Sequence, residues 1–261
     1  MQNFKLIIEY DGGAFHGWQR QAGDKTIQGE LEQALRRMTR RPITLIASGR
    51  TDAGVHAVGQ VANFTCETNI SPEAFKKGLN RMLGGAIIIR RCEIVPENFH
   101  SRYDAICKSY RYRIRNHALP RAIGRQYHWH VRAPLDIDAM QTAGRHLLGS
   151  HDFTSFEGAG SPRQHSVREI QRADWVPARD HCLEFFIKAN GFLRFMVRNI
   201  VGTLVEVGQA KRAPEDIPFL LEACDRSLAG PTAPAQGLCL MTVEYDSSSP
   251  VRRFAGKPVN Q

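Results

Sequence analysis

The stretch ITLIASGRTDAGVHAVGQVANFTC, Ile43 to Cys66, contains two strands and the loop between them. Ile43 to Ser48 (ITLIAS) and Gln60 to Cys66 (QVANFTC) are short apolar runs bounded by turn residues, the pattern of strands. Working outward, Phe4 to Tyr10 (FKLIIEY) reads as a first strand, followed by a Gly-rich loop with Phe15, Trp18 and Gln19. Thr26 reads as an N-cap. Behind it, Ile27, Leu31, Ala34, Leu35 and Met38 fall at helical spacing, while Arg36, Arg37, Arg40 and Arg41 lie on the other face or just past the end. Pro42 stops that helix. Downstream, Ser71-Pro72 is an N-cap with Pro at the first helical position, opening a helix to about Leu83. Ala86 to Val95 is a strand. The order is β-α-β-β-α-β.

The second half repeats that order. Lys108 to Asn116 is a strand and Asp136 to Leu148 a helix. Val167 to Val176 and Cys182 to Asn190 are strands around a turn at Pro177 to Asp180. Phe192 to Val207 is a helix, an extra helix spans about Pro214 to Cys224, and Gly237 to Tyr245 is the last strand. This is the split βαβ, ferredoxin-like arrangement twice over. The expected fold class is α+β, two ferredoxin-like domains with antiparallel sheets and helices on one face of each. The N-terminal domain spans 1–105 and the C-terminal domain 106–246. The tail, 247–261, has little apolar periodicity and two prolines, and is expected to be disordered.

The 261 residues allow one large domain or two ordinary ones, and 42% apolar residues suffice for a core. Lys and Arg total 35 against 26 acids, a formal charge of +9, which favours an anionic partner such as nucleic acid. None of the six cysteines forms a CxxC pair, which argues against a disulfide framework and a zinc site. The start, MQNFKLIIEYDGG, has no signal-peptide pattern, and the longest aliphatic run, Ala86 to Ile89, is far too short to span a bilayer. A cytoplasmic protein without a membrane partner is expected.

The most informative segment is Ser48 to Val61, SGRTDAGVHAVGQV. Arg50 and Asp52 are one residue apart and flanked by Gly49 and Gly54, so backbone can approach a ligand closely. An isolated RTDxG string reads first as a tight turn in which the aspartate bonds its own backbone. A lone His56 reads first as a packing residue. In Lys108 to Arg115, KSYRYRIR, strict alternation puts Tyr110, Tyr112 and Ile114 on one face and Arg111, Arg113 and Arg115 on the other. That is a half-buried strand with a solvated basic face, in which one tyrosine can line a pocket and stack on a base. In Gly191 to Gly208, GFLRFMVRNIVGTLVEVG, Arg194 and Arg198 share a helical face. They are either surface residues or, if buried, in need of a carboxylate, for which Asp52 is the natural partner of Arg198 across the domain junction. His128-x-His130 lacks a third ligand at a useful spacing, and no metal is expected. No P-loop, GxGxxG or deaminase signature is present.

Taken together, FxGWQxQ (Phe15 to Gln21), GRTDAGVHAxGQV (Gly49 to Val61), FHSRYDAxxKSYRY (Phe99 to Tyr112), the Leu193 to Gly202 region and PAQGLCL (Pro234 to Leu240) resemble, in order, the TruA-type tRNA pseudouridine synthases. The likeness runs from about residue 4 to 245. It implies the pseudouridine synthase fold with a catalytic cleft between the domains. It also implies isomerisation of uridine to pseudouridine at positions 38, 39 and 40 of the tRNA anticodon stem-loop. Asp52 matches the family's catalytic nucleophile, Arg198 the basic residue that pairs with it, Tyr110 the tyrosine that stacks on the target uracil, and Arg50 the arginine that holds the flipped nucleotide's place. The family acts as a homodimer on tRNA without metal or organic cofactor.

The chemistry fits these residue types. Pseudouridylation breaks N1–C1′, turns the uracil and joins C5 to C1′. No atoms are gained, so no cofactor is implied. A carboxylate can serve at the sugar as it does in retaining glycoside chemistry. An adjacent arginine keeps the carboxylate ionised and aimed. Two other classes account for part of the sequence. A non-catalytic RNA-binding module explains the charge and tyrosines but gives no reason for Asp52, and a glycosylase would release free uracil.

Overall fold

The computed structural model describes residues 1–158, 160 and 165–246. The expected tail lies outside them. The first half runs β1 (Gln2–Tyr10), α1 (Ile27–Thr39), β2 (Ile46–Ala47), β3 (His56–Cys66), α2 (Pro72–Met82) and β4 (Ile87–Val95). The second runs β5 (Ala105–Asn116), β6 (Trp129–Val131), α3 (Ile137–Arg145), β7 (Gly149–Asp152), β8 (Val167–Ala178), β9 (Cys182–Ala189), α4 (Met196–Gly208), α5 (Asp216–Ala223) and β10 (Leu238–Tyr245).

Local chemistry sets the helices. Thr26 caps α1 by accepting from Gly29 N–H at 3.3 Å, and Ser71 caps α2 by accepting from Ala74 N–H at 3.2 Å. Ile27, Leu31, Ala34 and Leu35 of α1 are buried against the sheet. In the first half Phe4, Phe64 and Phe75 pack ring to ring, with Phe4 stacked on Phe64 at 5.2 Å. In the second, Trp175 lies 4.8 Å from Phe185.

Each half has the strand order of its motif: β4-β1-β3 with β2 on the far edge of β3, then β10-β5-β9-β8 with β7 added beyond. The two antiparallel sheets are joined edge to edge into one, β4-β1-β3-β10-β5-β9-β8-β7. The join is a short parallel pairing of β3 with β10, His56 with Cys239 and Ala57 with Leu240. One edge of β3 is therefore shared, its first residues taken by β10 and its later ones by β2, at Asn63 and Ala62.

That sharing corrects two sequence boundaries. The strand expected over Ile43 to Ser48 shrinks to two residues, and β3 starts at His56 instead of Gln60 because β10 supplies it with partners. The helix expected from Phe192 starts at Met196 because Phe195 adopts a left-handed backbone, φ 60°. β6, which pairs in parallel with the end of β5, and β7 are unexpected. The buried apolar residues form one continuous core that runs across the join through Ala57, Leu240 and Tyr110.

Candidate active site

The loop from Ser48 to Val55 feeds directly into the join, and both halves of the chain pin it. Ser48 N–H donates to Val61 O at 2.8 Å, and its hydroxyl donates to Gln60 Oε1 at 2.7 Å. Gln60 Nε2 donates to Gly49 O at 2.9 Å. From the second half, Lys108 Nζ donates to Ser48 O at 2.6 Å. Thr51 Oγ1 lies 2.7 Å from the buried Tyr10 hydroxyl, and Thr51 O accepts from Trp18 N–H at 3.0 Å. Gly17 makes that last approach possible. Its φ is +83°, and a Cβ there would sit 2.7 Å from Thr51 O.

Asp52 closes a turn, but with its backbone: Val55 N–H donates to Asp52 O at 3.1 Å. The carboxylate is left to point away, and it meets Arg198 Nη1 at 3.1 Å. The loop does turn at Asp52, but the carboxylate does not bond its own backbone as the turn reading expects; it pairs with Arg198 across the join. His56, at the start of β3, is a latch. Gly12 N–H donates to its Nδ1 at 3.1 Å, Asp11 Oδ1 lies 3.0 Å from the same nitrogen, and Nε2 donates to Gln126 O at 3.2 Å. With both ring nitrogens engaged, it fits the packing role.

Arg198 is fixed as firmly as its partner. Its Nε donates to Ala233 O at 2.7 Å, while Ala233 N–H donates back to Arg198 O at 3.0 Å. Its guanidinium lies 5.1 Å from the Phe195 ring centroid, and that of Arg194 lies 4.7 Å from it. A left-handed aromatic residue is strained, and here the strain puts a ring beneath the arginine that holds the carboxylate. The Asp52 and Arg198 side chains are 25% and 16% exposed, so the pair is largely desolvated yet open to a ligand. Burial pushes the Asp52 carboxyl above its ordinary value, while the hydrogen bond and charge of Arg198, then the charge of Arg194, pull it back.

Register brings in Tyr110. Ala57, Leu240 and Tyr110 are aligned across β3, β10 and β5, so Tyr110 stands two strands, about 10 Å, from the strand that Asp52 leads into. Its ring is buried and meets Phe192 edge-on at 5.0 Å. Its hydroxyl is not sealed off and has no hydrogen-bond partner among the described residues. Burial raises its pKa, and the nearby charges of Tyr10 and Asp52 add to the shift. Tyr112, the other candidate, is fully buried and its hydroxyl donates to Pro234 O at 2.8 Å, so it has a structural role. Arg50 is exposed on the loop, apart from the Asp52–Arg198 pair.

The strand face opposite the tyrosines is less basic than its sequence reads. Arg113 Nε lies 2.7 Å and Arg111 Nη1 3.6 Å from Glu184 Oε1. Arg115 is buried, donating to Asp180 O at 2.6 Å. His128 is buried and His130 Nε2 donates to His117 O at 2.8 Å. The sequence reading missed Tyr10, Gln60, Lys108, Phe192 and Phe195. Gln60 and Lys108 lie inside quoted motifs. Tyr10, Phe192 and Phe195 carried no signal beyond apolar character.

The site is a carboxylate–arginine pair with a buried tyrosine beside it, at the join of two ferredoxin-like halves. Comparison with known proteins gives it a family. The model of a family described as tRNA pseudouridine synthase matches residues 6–104 and 143–246. The chain is 46% identical over 245 residues to the tRNA pseudouridine synthase A of Acetivibrio thermocellus, covering 94% of this chain and 100% of that protein. It is 47% identical over 247 residues to that of Moorella thermoacetica, covering 94% and 100%. It is 48% identical over 248 residues to that of Geobacillus kaustophilus, covering 94% and 95%. The chain belongs to the tRNA pseudouridine synthase family, a family of isomerases.

Proposed function

We propose that this chain isomerises uridine to pseudouridine in tRNA, at positions 38, 39 and 40 of the anticodon stem-loop, with Asp52 as nucleophile. The observation that carries the reading is the convergence of Asp52, Arg198 and Tyr110 at the β3–β10–β5 join, one group from the first half and two from the second. An ionised Asp52 can act at C1′, at C6 or on a sugar proton, and all three routes need it beside the same ribose. Arg198 aims the carboxylate and favours its charged form. Tyr110 forms a wall on which the detached uracil stacks and stays while it turns. Arg50, exposed on the loop, fills the place of the flipped base, whose unstacking costs on the order of a few kcal/mol. We further take the chain to divide at about residue 105 and to work in the cytoplasm as a homodimer with tRNA across both subunits. Among the described residues no helix is long and apolar enough to cross a membrane.

Incubation with unmodified tRNA, digestion and nucleoside analysis by mass and retention tests the reading. A product with the mass of uridine and the retention of pseudouridine is expected. Release of free uracil would identify a hydrolytic glycosylase instead. Unchanged nucleosides with salt-sensitive binding would identify a binding module.

A further inference from the structure

Lys108 is two residues before Tyr110 on β5 and on the same strand face, about 7 Å away along the strand. Its bond to Ser48 O uses one of its three donors. Gly49 lies directly against the amine, where a Cβ would be 3.1 Å from Nζ, so glycine leaves the space in front of it open. The charged groups that face Lys108 are Arg102, from the turn before β5, and Arg168, from β8. Arg50 projects from the same loop that Lys108 holds. No carboxylate pairs with Lys108 among the described residues. Arg168 has other work, donating to His165 O at 3.2 Å and Val167 O at 2.6 Å.

A half-buried ammonium among like charges, with donors to spare, has the chemistry of an anion site awaiting its anion. We propose that Lys108 binds a backbone phosphate of the RNA next to the uridine whose base stacks on Tyr110. The spacing suits a nucleotide, with the base at one strand position and its phosphodiester two positions back. The proposal rests on the assignment of Tyr110 above and adds the residue that fixes the strand register of the RNA.

A proton is linked to that phosphate. Burial, then Arg102 and Arg168, lower the Lys108 pKa to about 8. A phosphate reverses that balance, so binding above this pH draws a proton from the buffer onto Nζ. The bond to Ser48 O alone predicts neither proton uptake nor a change in salt dependence.

Calorimetric titration of unmodified anticodon stem-loop RNA at pH 8.5, in buffers of different ionisation enthalpy, measures the uptake. A salt series measures the phosphate contacts. Wild type is expected to take up a fraction of a proton per site. Lys108→Gln should lose the uptake and lower the log–log salt slope by about 0.7–0.9, one phosphate contact. Lys108→Arg should keep the slope and lose the uptake, and it decides the question alone if the Gln variant does not fold. Wild-type uptake and slope unchanged in both variants would overturn the proposal. Asp52→Asn separates the two readings. If it stays active, the site assignment fails whatever Lys108 does. If it is inactive while the Lys108 variants bind as wild type, only the phosphate site fails.

Discussion

Burial disfavours the charged form of Asp52, Arg198 favours it, and burial is the larger effect. The consequence for stability has a definite sign. A carboxyl whose folded pKa is raised contributes stability that is fully present below the unfolded value and is lost as pH rises through the folded one. The loss sets in above the ordinary carboxylate range. Asp52→Asn, which mimics the protonated acid, is therefore expected to melt above wild type at pH 7. The gap should close on acidification below the ordinary carboxylate range. Thermal unfolding across pH measures this, and a variant less stable at pH 7 would reverse the sign. Arg198→Met removes the group that aims the carboxylate and lowers its pKa. Turnover should fall by about 100-fold, with the acid limb of the pH–rate profile moved upward. At this scale the sequence was most legible. The loop's residue types alone read as a turn; the string GRTDAGVHA and its resemblance to one family singled out Asp52, and Arg198, at helical spacing from Arg194, suggested its partner. That backbone and carboxylate of Asp52 have separate partners was not legible, because a turn string does not say which atoms close it.

Among the elements, two departures from the sequence reading build the site. Phe195 breaks the helix that its neighbours would otherwise extend, and its ring lies beneath Arg198. Apolar periodicity predicts helix straight through this position, since nothing in residue type marks an aromatic for positive φ. The pairing of β3 with β10 joins residues about 180 apart in sequence over only two register pairs, too short to leave a pattern in either strand. The caps of α1 and α2 and the alternation of Tyr110, Tyr112 and Ile114 were readable because they are local. The approach of the Gly17 loop to Thr51 gives a test. Gly17→Ala combines positive φ with a Cβ 2.7 Å from Thr51 O. A loss of about 1–3 kcal/mol is expected, with turnover reduced because the Asp52 loop shifts. Chemical denaturation and steady-state kinetics on one preparation check both.

Across the whole molecule, one sheet and one core link two halves that each repeat the same motif. Sequence order gave the repeat, yet the edge-to-edge join depends on which edge β3 leaves open, and that is settled by tertiary pairing. Because Lys108 and Arg198 reach across the join, the halves are expected to unfold together. Trp18 reports on the first half and Trp175 on the second, both from buried positions. Variants keeping only one of these tryptophans should give coincident urea midpoints, and separate midpoints would mean independent domains. The central claim is that this junction presents Asp52 as the group that attacks a tRNA uridine. Its most direct measurement compares wild type with Asp52→Asn on unmodified tRNA, by nucleoside analysis and by tRNA affinity. Wild type should form pseudouridine, and Asp52→Asn should bind tRNA equally well and form none. Pseudouridine formed by Asp52→Asn at the wild-type rate would contradict the account.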